Sequence, residues 1–64
     1  MTDRQTMIDA IAKHAELSAQ DAEKAFRSLM VVGGIEYDDQ DGYTVTFYGY
    51  MNREVLRRAA LAQF

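Results

Sequence analysis

Apolar side chains recur at intervals of three and four along the first thirty residues and at intervals of two further on, which divides the chain into a helical part and a strand part. Met7, Ile8, Ile11, Ala12 and Ala15 form one stripe and predict a helix from about Asp3 to Ala15. Thr2 followed by Gln5 reads as a capping box opening it. After the tight connection Glu16-Leu17, Ala22, Ala25, Phe26, Leu29 and Met30 form a second stripe. Ser18 stands where a cap is needed, and Asp21 sits at the third position, facing the free N–H groups of the first turn. Gly33-Gly34 ends this helix, because glycine adopts the left-handed conformation at little cost.

The period then changes. Ile35-Glu36-Tyr37 begins a strand, Asp38 to Gly42 is turn chemistry, and Tyr43 to Tyr48 alternates. Tyr43, Val45 and Phe47 fall on one face of that second strand, with Thr44, Thr46 and Tyr48 on the other. Gly49 marks a bend or bulge. Asn52 is placed to cap a third helix running toward Phe64, whose apolar face is Val55, Leu56, Ala59, Ala60 and Phe64. The expected order is α-α-β-β-α. This is an α+β fold with a two-helix, helix-turn-helix-like N-terminal unit, a β-hairpin and a C-terminal helix, forming a single small domain over residues 1–64.

At 64 residues the chain lies near the lower limit for independent folding. A core of this size supplies about 3–5 kcal/mol, and small domains commonly add disulfides, a metal or a second subunit. Cysteine is absent and there is one histidine, so no disulfide or zinc site is expected, and a homodimer is the most available aid to stability. No signal-peptide pattern is visible, and no apolar run approaches the ~20 residues of a membrane span. A soluble, cytoplasmic protein that does not associate with membranes is the expectation.

The net charge of −3 is unevenly distributed. Residues 1–42 carry four basic and nine acidic side chains, a balance of −5, whereas residues 43–64 carry three basic and one acidic, a balance of +2. Phosphate neutralisation supplies most non-specific affinity for DNA, so a direct DNA binder normally presents a basic surface. The chain as a whole does not.

Catalytic chemistry is thinly represented. His14 falls at a helix C-terminus with no serine at helical spacing, and reads as a partly exposed histidine favoured by the helix dipole. Asp38, Asp39 and Asp41 lack the full ligand series of a calcium loop and read as a solvated turn. No glycine-rich phosphate loop is present. No enzyme activity, cofactor or metal is therefore expected. The acidic turn has two readings. Turns favour Asp in any case, and a row of carboxylates on a rigid hairpin also imitates nucleic-acid phosphates and fits a basic groove on a protein. Tyr37, Tyr43, Tyr48 and Tyr50 are many tyrosines for a short hairpin, and those on its outer face suit an interface. The candidate partner-binding residues are Tyr37, Asp38, Asp39, Asp41 and Tyr48. Arg53, Arg57 and Arg58 are the one basic cluster, neighbours if they lie on a helix. They read as a solvated face or as a contact for an acidic partner or DNA backbone.

Three helical segments carry a family resemblance: Ile8-Asp9-Ala10-Ile11-Ala12, Ala15-Glu16-Leu17-Ser18 and Asp21-Ala22-Glu23-Lys24-Ala25-Phe26. Gly42, Val45, Phe47, Gly49 and Tyr50 then match a strand pattern. Together they resemble the N-terminal half of the HU/IHF histone-like DNA-binding family, over roughly residues 3–50. That resemblance implies an intertwined dimer, with Phe26, Phe47 and Tyr50 at the subunit interface. The family's long basic β-arms, each with a proline that wedges into the minor groove, have no counterpart here: nothing of that length follows Tyr50 and the chain has no proline.

The same stretch also resembles a winged helix. Met7–His14 would be the first helix, Glu16-Leu17-Ser18 the turn, Ala19–Val32 the recognition helix and Ile35–Phe47 the wing. Ser18, Gln20, Asp21, Lys24, Arg27 and Ser28 would then face the major groove. The expectation that follows is a small, non-enzymatic regulatory module acting by protein–protein contact. It would bind or inhibit a nucleic-acid-handling protein through an acidic and aromatic surface, as a DNA mimic does. The alternative is a direct double-stranded DNA binder using Lys24, Arg27, Arg53, Arg57 and Arg58, which the overall charge disfavours.

Overall fold

The computed structural model describes residues 1–61 and has the expected α-α-β-β-α order. Helix α1 spans Arg4–Ala15, α2 Ala19–Val31, β1 Ile35–Asp38, β2 Gly42–Val45 and α3 Arg53–Ala60, with a 3-10 turn at Tyr48–Met51 before α3. The three helices enclose Met7, Ile8, Ile11, Ala15, Ala22, Ala25, Phe26, Leu29, Leu56 and Ala59, and the hairpin contributes Ile35. Alanines at 15, 22, 25 and 59 are fully buried, so the helices approach closely around the larger Ile11, Leu29 and Leu56.

Helix ends follow local chemistry. Ser18 caps α2 by accepting from the Asp21 N–H at 3.1 Å, and Asn52 caps α3 by accepting from Glu54 and Val55. The α2 stop is a Schellman motif. Gly33 has φ +79°, its N–H donates to the Met30 carbonyl, and the Gly34 N–H donates to the Leu29 carbonyl at 2.7 Å. The α1 cap lies one residue later than the Thr2 box predicts: the Asp3 carboxylate accepts from the Thr6 N–H at 2.7 Å. Thr2 is committed elsewhere. Its N–H donates to the Asp41 carbonyl and its own carbonyl accepts from the Tyr43 N–H, so it pairs with β2 as a one-residue parallel strand.

The hairpin is antiparallel, with Ile35 opposite Val45, Glu36 opposite Thr44, Tyr37 opposite Tyr43 and Asp38 opposite Gly42. Its second strand is shorter than the alternation predicts. At Thr46 both the backbone N–H and the hydroxyl turn back onto α2's terminus, donating to the Gly34 and Gly33 carbonyls at 2.9 and 2.8 Å. The N–H bond is the next rung of the same register, but the regular strand ends at Val45 and the chain bends at Thr46, so Phe47 does not join Tyr43 and Val45 on the inner face. It lies 66% exposed, its ring edge-on to Tyr50 at 6.0 Å. The predicted bend at Gly49 is the 3-10 turn. Of the predicted α3 face, Leu56 and Ala59 are buried and Val55 and Ala60 half-buried. Phe64 lies outside the described residues.

Candidate functional site

Among the residues singled out in the sequence, the hairpin brings Tyr37, Asp38, Asp39 and Asp41 together and adds Glu36 to them. Three residues, Asp39 to Asp41, connect the strands. Gly42 follows with φ +77°, the left-handed conformation that the Asp-Gly signal calls for. Asp38 builds the turn: one carboxylate oxygen accepts from the Gln40 N–H at 2.7 Å and the Asp41 N–H at 3.1 Å. These two bonds, the Gln40 one foremost, hold its carboxyl below the usual Asp range, so the group is fixed in its charged form. Thr2 braces the same turn through the Asp41 carbonyl. The loop is thus tied at both ends.

Strand alternation sets the two faces. Glu36 and Asp38 project from the outer face, and Tyr37 and Tyr43 form a cross-strand pair on the other, with ring centroids 5.0 Å apart. Tyr43 in turn meets Phe26 edge-on at 5.2 Å, and the Arg4 guanidinium lies over the Phe26 ring. The aromatic chain from core to hairpin leaves Tyr37 half exposed beside the carboxylates.

Elsewhere four arginines are ion-paired, while Asp3, Asp9, Asp21, Lys13 and Lys24 are in no ion pair among the described residues. Arg4 and Arg27 both reach Glu23, Arg53 reaches Glu16, and Arg58 reaches Glu54. Arg57 donates to the Ala15 carbonyl at the end of α1. The three arginines expected to form a basic cluster do share α3, yet each has a partner within the chain. Lys24 and Arg27 are exposed on α2. By contrast, among the described residues no Lys or Arg pairs with Glu36, Asp38, Asp39 or Asp41. Four uncompensated carboxylates therefore occupy six consecutive positions of a braced hairpin.

The remaining candidates lie apart from this tip. Tyr48, 92% exposed, sits three residues past the last ladder pair, at the base of the hairpin. Phe26 is 4% exposed and already covered by its own chain, Tyr50 is half-buried, and of these three only Phe47 projects. Glu36 was missed from the sequence because it reads as an ordinary outward strand position. Its two-residue spacing from Asp38 was the available signal. No helix among the described residues is long and apolar enough to cross a membrane. No protein-family model matches the chain, and neither a curated protein nor a solved structure is significantly similar to it.

Proposed function

We propose that this chain is a small, non-catalytic regulatory module that acts by protein–protein contact, docking its acidic hairpin tip on a basic surface of a nucleic-acid-handling protein. The concentration of unpaired carboxylate carries this reading, four within residues 36–41 with no Lys or Arg between them. Arg4, Arg27, Arg53 and Arg58 pair with Glu16, Glu23 and Glu54, and the other unpaired acids, Asp3, Asp9 and Asp21, stand singly along the two N-terminal helices. Like charges held close together raise the free chain's energy, and a cationic partner relieves that repulsion. The bonds that brace the Asp38 turn mean that little ordering is needed on docking, and Tyr37 supplies an apolar contact at the rim. Duplex DNA is the wrong partner for this tip, since the same carboxylates would meet phosphates.

The test compares the wild type with an Asp39→Asn/Asp41→Asn double variant, which removes two charges without touching the carboxylate that builds the turn. In affinity capture at low and high salt, the wild type retains basic nucleic-acid-binding proteins in a salt-sensitive manner, and the variant does not. Micromolar binding of the wild type to duplex DNA that weakens steeply with salt would overturn the reading.

A further inference from the structure

A second surface, at the opposite end of the hairpin from the acidic tip, has the reverse character. Two stretches of the sequence, Ser28–Ile35 and Gly42–Asn52, contain no charged residue, in a chain that has seven basic and ten acidic side chains. The fold sets them side by side, because Thr46 is hydrogen-bonded to the carbonyls of both Gly33 and Gly34. Around that junction the chain exposes Val31 at 85%, Val32 at 47%, Phe47 at 66% and Tyr48 at 92%. Isolated apolar side chains on a surface need no explanation. Four gathered at one end, with no charge among them, do.

We infer that this face is a contact between two copies of the chain, related by a twofold axis. Charge is the first argument for a second copy. Each chain is net acidic and two copies repel, but this is the end at which they meet without bringing carboxylates together. An approach through these bases also leaves the two acidic tips directed away from each other. Shape is the second argument. A twofold interface must be complementary to itself, so one patch must offer both a projection and a place to receive it. Tyr48 is the projection, while Gly33, exposed and with nothing within 4 Å of where a Cβ would stand, leaves open space at the same junction to receive it.

Area is the third argument. Phe47 and Tyr48, at roughly 200 Å² each when fully covered, supply roughly 300 Å² at their present exposure. The two valines, with exposed Gly33, Thr46 and Gly49, bring each copy toward the roughly 600 Å² per partner at the lower end of stable interfaces. The expected dimer is accordingly modest in affinity. It differs from the one that the family resemblance implies, since Phe26 takes no part and Val31, Val32 and Tyr48 do.

Sedimentation equilibrium at roughly 0.5 mM, where a micromolar to sub-millimolar dissociation constant populates the dimer, tests the inference. The wild type is expected to approach twice the 7.3 kDa chain mass. Tyr48→Glu and Val31→Lys are each expected to remain at 7.3 kDa with an unchanged circular dichroism spectrum, since both side chains are exposed. Asp39→Lys, at the far tip, is expected to dimerise like the wild type. On dilution of the wild type, amide chemical shifts should change at residues 31–33 and 46–49 and not at 38–41. A wild type that stays monomeric at that concentration overturns the inference and leaves the face to a different protein. Dimerisation undiminished in both charged variants, or dilution shifts centred on the tip, overturns it as well. None of these outcomes depends on whether the acidic tip binds a basic partner.

Discussion

Arg57 on α3 donates from Nη1 to the carbonyl of Ala15, the last residue of α1, at 3.3 Å across 42 positions of sequence. The last carbonyls of a helix have no partner within it and carry the negative end of its dipole, so a guanidinium there satisfies an acceptor and a charge together. The bond is partly buried, and it joins the first helix to the last. Arg57→Ala is therefore expected to lower stability by about 1 kcal/mol, in line with a hydrogen bond from a charged donor and the loss of the side chain's apolar stem. Arg58→Ala, which breaks an exposed ion pair with Glu54 one turn away, is expected to change it by less than about 0.5 kcal/mol. Urea denaturation of the two variants measures the difference.

Gly33 and Gly42 have nearly the same backbone conformation, with φ +79° and +77°, but different surroundings. A Cβ at Gly33 would stand in open space, whereas one at Gly42 would collide with the Thr2 carbonyl. Gly33→Ala should cost about 1 kcal/mol, the left-handed penalty alone. Gly42→Ala should cost about 2–3 kcal/mol, because it also displaces Thr2 from β2 and unseats the brace on the acidic turn. For a core of this size the second is most of the available stability. Thermal unfolding of the two alanine variants checks the order, and equal losses would refute the role given to Thr2.

The helices were legible because their signals are local. Ser18, Asn52 and Gly33 act within one turn of their own positions, and the apolar stripes of α1 and α2 face the core as spaced. The misplaced features depend on contacts between distant residues. Thr2 looked like a cap until Asp41 and Tyr43 claimed its backbone, and that pairing leaves no trace in the first six residues. Phe47 shares a face with Tyr43 and Val45 by alternation, but the strand ends at Val45 and the chain bends at Thr46, whose hydroxyl is held by the Gly33 carbonyl thirteen positions earlier. The candidate site divides the same way. Its acidic turn could be read directly, while the pairing of Arg53 with Glu16, which takes a cation out of the expected basic cluster, depends on how α3 packs.

Glu16 is the one non-glycine residue with positive φ among the described residues, at φ 55°. It closes α1, and the next N–H, that of Leu17, reaches back to the Ala12 carbonyl at 2.9 Å. Glycine is the residue that this position favours. Glu16→Gly is expected to raise stability by about 0.5–1 kcal/mol, because relief of the left-handed strain outweighs loss of the exposed pair with Arg53. Glu16→Ala keeps the strain and loses the pair, so it should be neutral or slightly destabilising. Urea midpoints for both variants decide between strain and charge as the controlling effect.

Three carboxyls are held below their ordinary range in the folded chain: Asp3 by the Thr6 N–H, Glu23 by Arg4 and then Arg27, and Asp38 by the Gln40 and Asp41 N–H groups. In the unfolded chain these groups bind protons more readily, so the unfolded state gains from acid. Their stabilisation is complete above the ordinary carboxylate range, near about pH 4, and is lost as pH falls through the lowered folded values. Urea midpoints should therefore be level between about pH 6 and 8 and drop below about pH 4. Asp3→Asn retains a capping oxygen but no longer titrates there, and should fall less steeply. If Asp3→Asn followed the wild-type curve, the cap would not be contributing to the acid response.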